Sequence, residues 1–166
     1  MSLKENASRI DVLNFLIRKF GFKKYLEIGI EDGHCFSEIK CEFKIGVDPD
    51  PKSKATIHQT SNEFFAENKH RFGLMFIDGL HESQQVYQDI LNALDCLEEG
   101  GIIICHDMLP VTFEAQEVPR KQDVWNGDCW KAWVKVRSER TDLEMRVINT
   151  DHGVGVIRKG NQEKLK

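Results

Sequence analysis

A chain of 166 residues fits one domain, and its 40% hydrophobic and 30% charged residues exclude a disordered or fibrous class. The formal charge of −4, with Lys and Arg interspersed among Asp and Glu, excludes phosphate-backbone binding as a main activity, so no nucleic-acid partner is expected. Five cysteines without CxxC or zinc-ligand spacing read as reduced thiols, and no apolar run reaches membrane-spanning or signal-peptide length, so the expectation is a cytoplasmic protein with no membrane partner.

Within the single domain, 1–166, residues 1–22 are expected to form an N-terminal flanking helix, because Ile10, Leu13, Leu16, Ile17 and Phe20 recur at helical spacing before Gly21. Tyr25 to Ile28 is a short apolar run ending at a glycine, a buried strand. Lys44 to Val47 is a second, stopped by the prolines of Asp48-Pro49-Asp50-Pro51, which leaves room for only a short helix between the two. Thr56 to Gln59 is predicted as a third strand, and Thr60-Ser61-Asn62-Glu63 has the spacing of a capping box that opens a helix through Glu67. Phe72 to Ile77 is a fourth strand. Val86, Ile90, Leu94 and Leu97 place a long helix over Ser83 to Leu97, which Gly100-Gly101 would end. Ile102 to Cys105 is apolar on both faces, as in the middle of a covered parallel sheet. Residues 109–128, with two prolines and Asn126-Gly127, read as a substrate-side loop, Cys129 to Arg137 as a helix, and Met145–Ile148 with Gly153–Ile157 as a terminal hairpin.

This alternation predicts an α/β fold, a doubly wound Rossmann-like sheet that is mostly parallel with a C-terminal antiparallel hairpin. Ligands of such sheets bind outside the carboxyl ends of the strands. Glu27, Asp48, Asp78 and Asp107 each fall at such an end, which makes them one constellation.

The segment Glu27-Ile28-Gly29-Ile30-Glu31-Asp32-Gly33 joins strand to helix through two glycines that let a ligand approach bare backbone. It lacks the full GxGxxG spacing, and Glu31 and Asp32 oppose a pyrophosphate, whereas a cationic ligand tolerates them. Asp48, 19 residues after Gly29, either accepts hydrogen bonds from ribose hydroxyls or caps the Pro49 turn. Ser61 and Asn62 either meet an adenine edge or belong only to the helix cap. His81 suits a general base at neutral pH, with a helix-capping turn as its alternative; His106-Asp107 is equally well read as a pair closing its strand. His34, His58, His70 and His152 read as surface or turn residues. Trp130 and Trp133, at helical spacing, suit core packing, which leaves Trp125 to wall a pocket.

Tyr25-Leu26-Glu27-Ile28-Gly29 through Gly33, Gly46-Val47-Asp48, Phe76-Ile77-Asp78-Gly79-Leu80-His81 and Gly100 through Asp107 follow the order and spacing of class I S-adenosylmethionine-dependent methyltransferases. They look most like the small group known as methyltransferase domain family 24. The resemblance runs from Tyr25 to Lys159. It implies S-adenosylmethionine (SAM) bound by Glu27, Gly29, Gly33, Asp48, Ser61, Asn62 and Asp78, with His81, Asp78 and His106 as catalytic residues. The same group resembles metal-dependent O-methyltransferases, and this further likeness implies that Asp78 and Asp107 hold Mg2+ or another divalent cation while His81 deprotonates the acceptor. Met108 departs from that pattern, standing where a third oxygen ligand is common.

The expected activity is therefore methyl transfer from SAM to an oxygen of a small-molecule acceptor, by a chain able to form a homo-oligomer. Two other readings stay open at this point: a nicotinamide-dependent oxidoreductase on a similar sheet, and a non-catalytic module that binds SAM or another metabolite.

Overall fold

The computed structural model describes residue 4 and residues 6–165; Met1, Ser2, Leu3 and Glu5, which the expected flanking segment included, lie outside the described residues, as does Lys166. The first helix, α1 (Arg9–Phe20), begins at a capping box in which the Ser8 side chain accepts from the Asp11 N–H and Asp11 answers to the Ser8 backbone, and it ends at Gly21 in the left-handed region. Then follow β1 (Lys24–Ile28), the short α2 (His34–Glu38), β2 (Phe43–Val47), α3 (Ser61–Glu67), β3 (Phe72–Ile77), α4 (Ser83–Asp95), β4 (Leu97–Cys105), a single turn of 3-10 helix, α5 (Cys129–Glu139), β5 (Leu143–Ile148) and β6 (Val154–Lys159).

The six strands form one sheet in the order β2-β1-β3-β4-β6-β5. The pairs from β2 to β4 are parallel, and β6 runs antiparallel to both β4 and β5. Both faces are covered, as the unbroken apolar runs of the central strands require. Leu74, Phe76, Ile102 and Ile104 point toward α1, whereas Met75, Ile77, Ile103 and Cys105 point toward α3, α4 and α5. The period of two in each strand thus divides the core into two layers. The free side of β5 is occupied at Met145, whose N–H donates to Gln162 Oε1 at 2.7 Å and whose carbonyl accepts from Gln162 Nε2 at 3.3 Å.

Two expected elements differ. Thr56–Gln59 is not a strand: one bridge joins Ile57 to Val47, and the N–H groups of Thr56 and Ile57 both donate to the Gly46 carbonyl, a geometry that turns the chain instead of extending a ladder. Nor do Gly100-Gly101 end α4, which stops at Asp95 with Cys96 as its cap. The glycine pair lies inside β4, where the register shifts between Phe72 and Leu74, and Gly100 takes φ 70° there.

The chain leaves β1 toward β2 and returns to β3 on the other side. This reversal opens a crevice at the carboxyl ends of β1 and β3. No helix among the described residues is long and apolar enough to cross a membrane.

Candidate active site

A cavity of about 820 Å³ occupies that crevice. Of the residues singled out from sequence, Gly29, Asp48, Ser61 and Asn62 line one end of it, and Asp78, His81, His106 and Asp107 the other. Glu27 and Gly33 do not line it. Glu27 is 1% exposed and accepts from the Tyr25 hydroxyl at 2.5 Å; burial pushes its carboxyl up to about 7, against the opposing pull of that bond. Gly33 is the left-handed cap of α2.

Gly29 has φ 88°, and a Cβ there would fall 2.1 Å from the Asp78 carbonyl oxygen. The loop after β1 therefore lies directly on the end of β3, which only glycine permits. Asp48 fixes the same loop: its Oδ2 accepts from the N–H groups of Ile30 and Glu31 at 2.9 and 3.0 Å, and its Oδ1 from Asp50 at 2.8 Å. Burial works against its ionisation, but these backbone donors outweigh it and hold the carboxyl below its ordinary value.

At the other end two carboxylates face two imidazoles. His81 Nε2 lies 3.4 Å from Asp78 Oδ1 and its Nδ1 3.3 Å from Asp107 Oδ2. His106 Nδ1 is 3.3 Å from both Asp78 and Asp107, and its Nε2 is 3.4 Å from Asp151. These are close charge contacts, yet His81 Nδ1 and His106 Nε2 have no partner in hydrogen-bonding geometry. Burial alone would lower both imidazoles. For His81 the carboxylates of Asp78 and Asp107 reverse the direction, and for His106 those of Asp107, Asp151 and Asp78 do so, up to about 11. Asp78 is held far below the usual carboxylate range, its burial outweighed by His106, His81 and Arg9.

The long loop supports this end. A Cβ on Gly127 would meet the His81 carbonyl at 1.9 Å, so the loop closes directly over His81. Asp128 then accepts from the Ser83 N–H at 2.6 Å, supplying α4 with the N-terminal cap that Glu82 does not give. Trp125 stacks on His81 with centroids 5.2 Å apart, its Nε1 fixed by the Glu117 carbonyl at 2.6 Å. Trp133 is core, as its spacing suggested.

Sequence reasoning missed Arg9, Asn126, Asp151 and His152. Arg9 Nη1 donates to Asp78 at 2.9 Å and also lies 3.1 Å from His106 Nδ1. Asn126, 1% exposed, donates to Asp107 at 2.6 Å and lies 2.9 Å from His152 Nδ1. His152, read from sequence as a surface or turn residue, faces the cavity from the β5–β6 turn.

Residues 45–108, from β2 to just past β4, match the family model described as a methyltransferase domain. Most of the chain superposes on solved methyltransferases. The SAH-bound methyltransferase PaMTH1 of Podospora anserina aligns with TM-score 0.69 and 18% identity, over 92% of this chain and 78% of that one. This is a class I methyltransferase fold. The O-methyltransferase of Bacillus cereus in complex with SAH follows at TM-score 0.67 and 14% identity, covering 96% and 84% of the two chains. TomG, a SAM-bound O-methyltransferase of Streptomyces achromogenes, gives 0.67 and 13%, covering 95% and 82%. No curated protein matches the chain in sequence. In an open α/β sheet of this topology the crevice over β1 and β3 is the ligand side, and here it holds the cavity.

Proposed function

We propose that this protein transfers the methyl group of SAM to an oxygen of a small-molecule acceptor. The observation that carries the reading is the Gly29 loop, seated on the end of β3 and held by Asp48, opening onto His81 between Asp78 and Asp107.

The methyl donor lies along the Gly29 loop, its ribose at Asp48, its adenine toward Ser61 and Asn62, and its cationic end toward Asp78. The acceptor occupies the other end, against Trp125 with the exposed Leu80 and Val124 nearby. The acceptor oxygen attacks the methyl carbon in line. A C–O bond forms as the C–S bond breaks, the sulfonium becomes the thioether of S-adenosylhomocysteine (SAH), and the hydroxyl proton passes to His81. Positioning supplies most of the acceleration, on the order of 7 to 11 kcal/mol, and proton removal a further two to four powers of ten, roughly. The two carboxylates favour the imidazolium that results.

Asp78 and Asp107 also suit a divalent cation. One donor atom from each lies within 4.8 Å of the other and of a His81 nitrogen, and the buried His81 Nδ1 lacks a hydrogen-bond partner. Two carboxylates and an imidazole suit a borderline metal better than Mg2+. Met108 is buried in the core and supplies no ligand oxygen. A cation held there would lower the pKa of the acceptor hydroxyl. A metal-bound His81 is not free to act as base, so the two roles are alternatives for one ring.

Isothermal titration with SAM and SAH, followed by methyl transfer to a panel of hydroxylated small molecules with and without chelator, tests the proposal. Micromolar binding and transfer to a hydroxyl are expected. Failure to bind either ligand, or stabilisation by a nicotinamide dinucleotide instead, would overturn it.

A further inference from the structure

Two guanidinium groups line the cavity, and they differ in what they hold. Arg9 is engaged within the protein, paired with Asp78 at 2.9 Å and with Asp151 at 3.3 Å. Arg120, in the loop between β4 and α5, forms no ion pair among the described residues; its Nε donates to the Gln122 carbonyl at 2.9 Å and its Nη2 to the Asp123 carbonyl at 2.6 Å. The next side chain, Lys121, is by contrast paired with Glu117 at 2.8 Å.

A guanidinium carries all its N–H donors in one rigid plane. The two carbonyls take up the edge formed by Nε and Nη2 and so fix that plane. They are neutral, so they hold the group in place without cancelling its charge. Both N–H groups of Nη1 and the second of Nη2 stay free. The end of the fork, where Nη1 and Nη2 donate in parallel, is the edge that matches the two oxygens of a carboxylate.

Trp125 joins this cation to His81. Its indole stacks on the imidazole with centroids 5.2 Å apart, and the Arg120 guanidinium carbon lies 6.0 Å from its ring centroid. Leu80 and Val124, both exposed, line the same end of the cavity. A molecule lying along Trp125 therefore meets an imidazole at one end, apolar side chains along its body and a cation at the other end. The Asp78 and Asp107 carboxylates disfavour an anion beside His81, so the charges also decide which way round the molecule lies. We propose that the methyl acceptor is a hydroxy acid with an apolar body, its carboxylate held by the free edge of Arg120 and its hydroxyl presented to His81, and that Arg120 selects for it. This inference rests on the methyltransferase reading above.

The test is titration of the SAH-loaded full chain with meta-hydroxybenzoate, meta-hydroxyphenylacetate and meta-hydroxyphenylpropanoate, each beside its methyl ester. At least one acid should bind roughly tenfold or more tightly than its ester, a difference that shrinks at high salt. Incubation of that acid with SAM should give the methyl ether; a methyl ester as product would overturn the inference, because a carboxylate held by Arg120 is turned away from the methyl group. Arg120→Gln should bring the ratio of acid to ester affinity toward one, and Arg120→Lys, which keeps the charge but not the planar fork, should give an intermediate ratio. If Arg120 only staples its own loop, both variants weaken acid and ester alike and the ratio survives. That result overturns the inference, as does a panel in which no acid outbinds its ester. Loss of SAH affinity in Arg120→Gln also overturns it, by placing the guanidinium on the methyl donor. Failure of the unmodified protein to bind SAH is a separate outcome, which overturns the cofactor reading itself.

Discussion

Arg9 Nη1 donates to Asp78 Oδ2 at 2.9 Å across 69 residues of sequence, joining the first turn of α1 to the end of β3. The same guanidinium lies 3.3 Å from Asp151, and the Arg9 N–H donates to that carboxylate at 2.6 Å. Helix, central strand and terminal hairpin therefore meet at one side chain. Arg9→Met keeps the helix start and the aliphatic stem but removes the cation. Because Arg9 is about one-third exposed, solvent screens the pairs, and the loss should be about 1 kcal/mol in urea unfolding. Ligand binding at the Asp78 end should weaken further than stability does, which titration with SAH reads directly.

Glu27 carries a pH dependence that can be isolated. Its carboxyl is raised from 4.5 to about 7 by burial, so the folded state binds its proton more tightly than the unfolded state. Stability from this group is thus fully present below the unfolded value and lost as pH rises through 7. Glu27→Gln retains an acceptor for the Tyr25 hydroxyl and has no charge to bury. Relative to the unmodified protein, the variant should gain about 3 kcal/mol of unfolding free energy between pH 4 and pH 8. Urea denaturation across that range would show it, and a constant difference would refute it.

The sheet and the Gly29 side of the site were legible because their signals are local. Apolar runs mark β1 to β4, Gly29 precedes a turn, and Asp48 and Asp78 end strands. The Thr56–Gln59 strand failed because a few mixed residues have no period strong enough to separate a bridge from a ladder. Arg9, Asn126 and His152 were invisible for a different reason. Arg9 sits on a helix whose apolar stripe explains its other residues, Asn126 looks like half of an Asn-Gly turn, and His152 belongs to a hairpin tip. Only the closure of the fold brings them to Asp78, Asp107 and the cavity. Glu27 erred the other way: at a strand end in sequence, it points into the protein and bonds Tyr25 two residues back.

Gly29→Ala should show how much of the proposed cofactor site depends on bare backbone. The φ of 88° costs a residue with a Cβ roughly 1 to 3 kcal/mol, and the new carbon would lie 2.1 Å from the Asp78 carbonyl oxygen. The loop must therefore lift from the end of β3. The expected outcome is a folded sheet by circular dichroism, a lowered melting temperature, and SAH affinity reduced by about tenfold or more, a change of roughly 1.4 kcal/mol. Retention of full affinity would mean that the ligand does not use this loop.

His81→Gln separates binding from chemistry. Glutamine keeps a polar side chain between Asp78 and Asp107 but cannot accept a proton at neutral pH, and Trp125 can still pack on it. If His81 is the base, turnover should fall by roughly two to four powers of ten while SAH affinity changes little, since an interaction made only as the proton moves affects kcat and not ligand binding. If the ring instead serves a cation, the variant should lose metal-dependent stabilisation, measured by melting temperature with Mn2+ or Zn2+ in the absence of SAM. Chelation distinguishes the two in the unmodified protein. Activity that survives it assigns His81 the proton, and activity that disappears and returns with Mn2+ or Zn2+ assigns the ring to the metal.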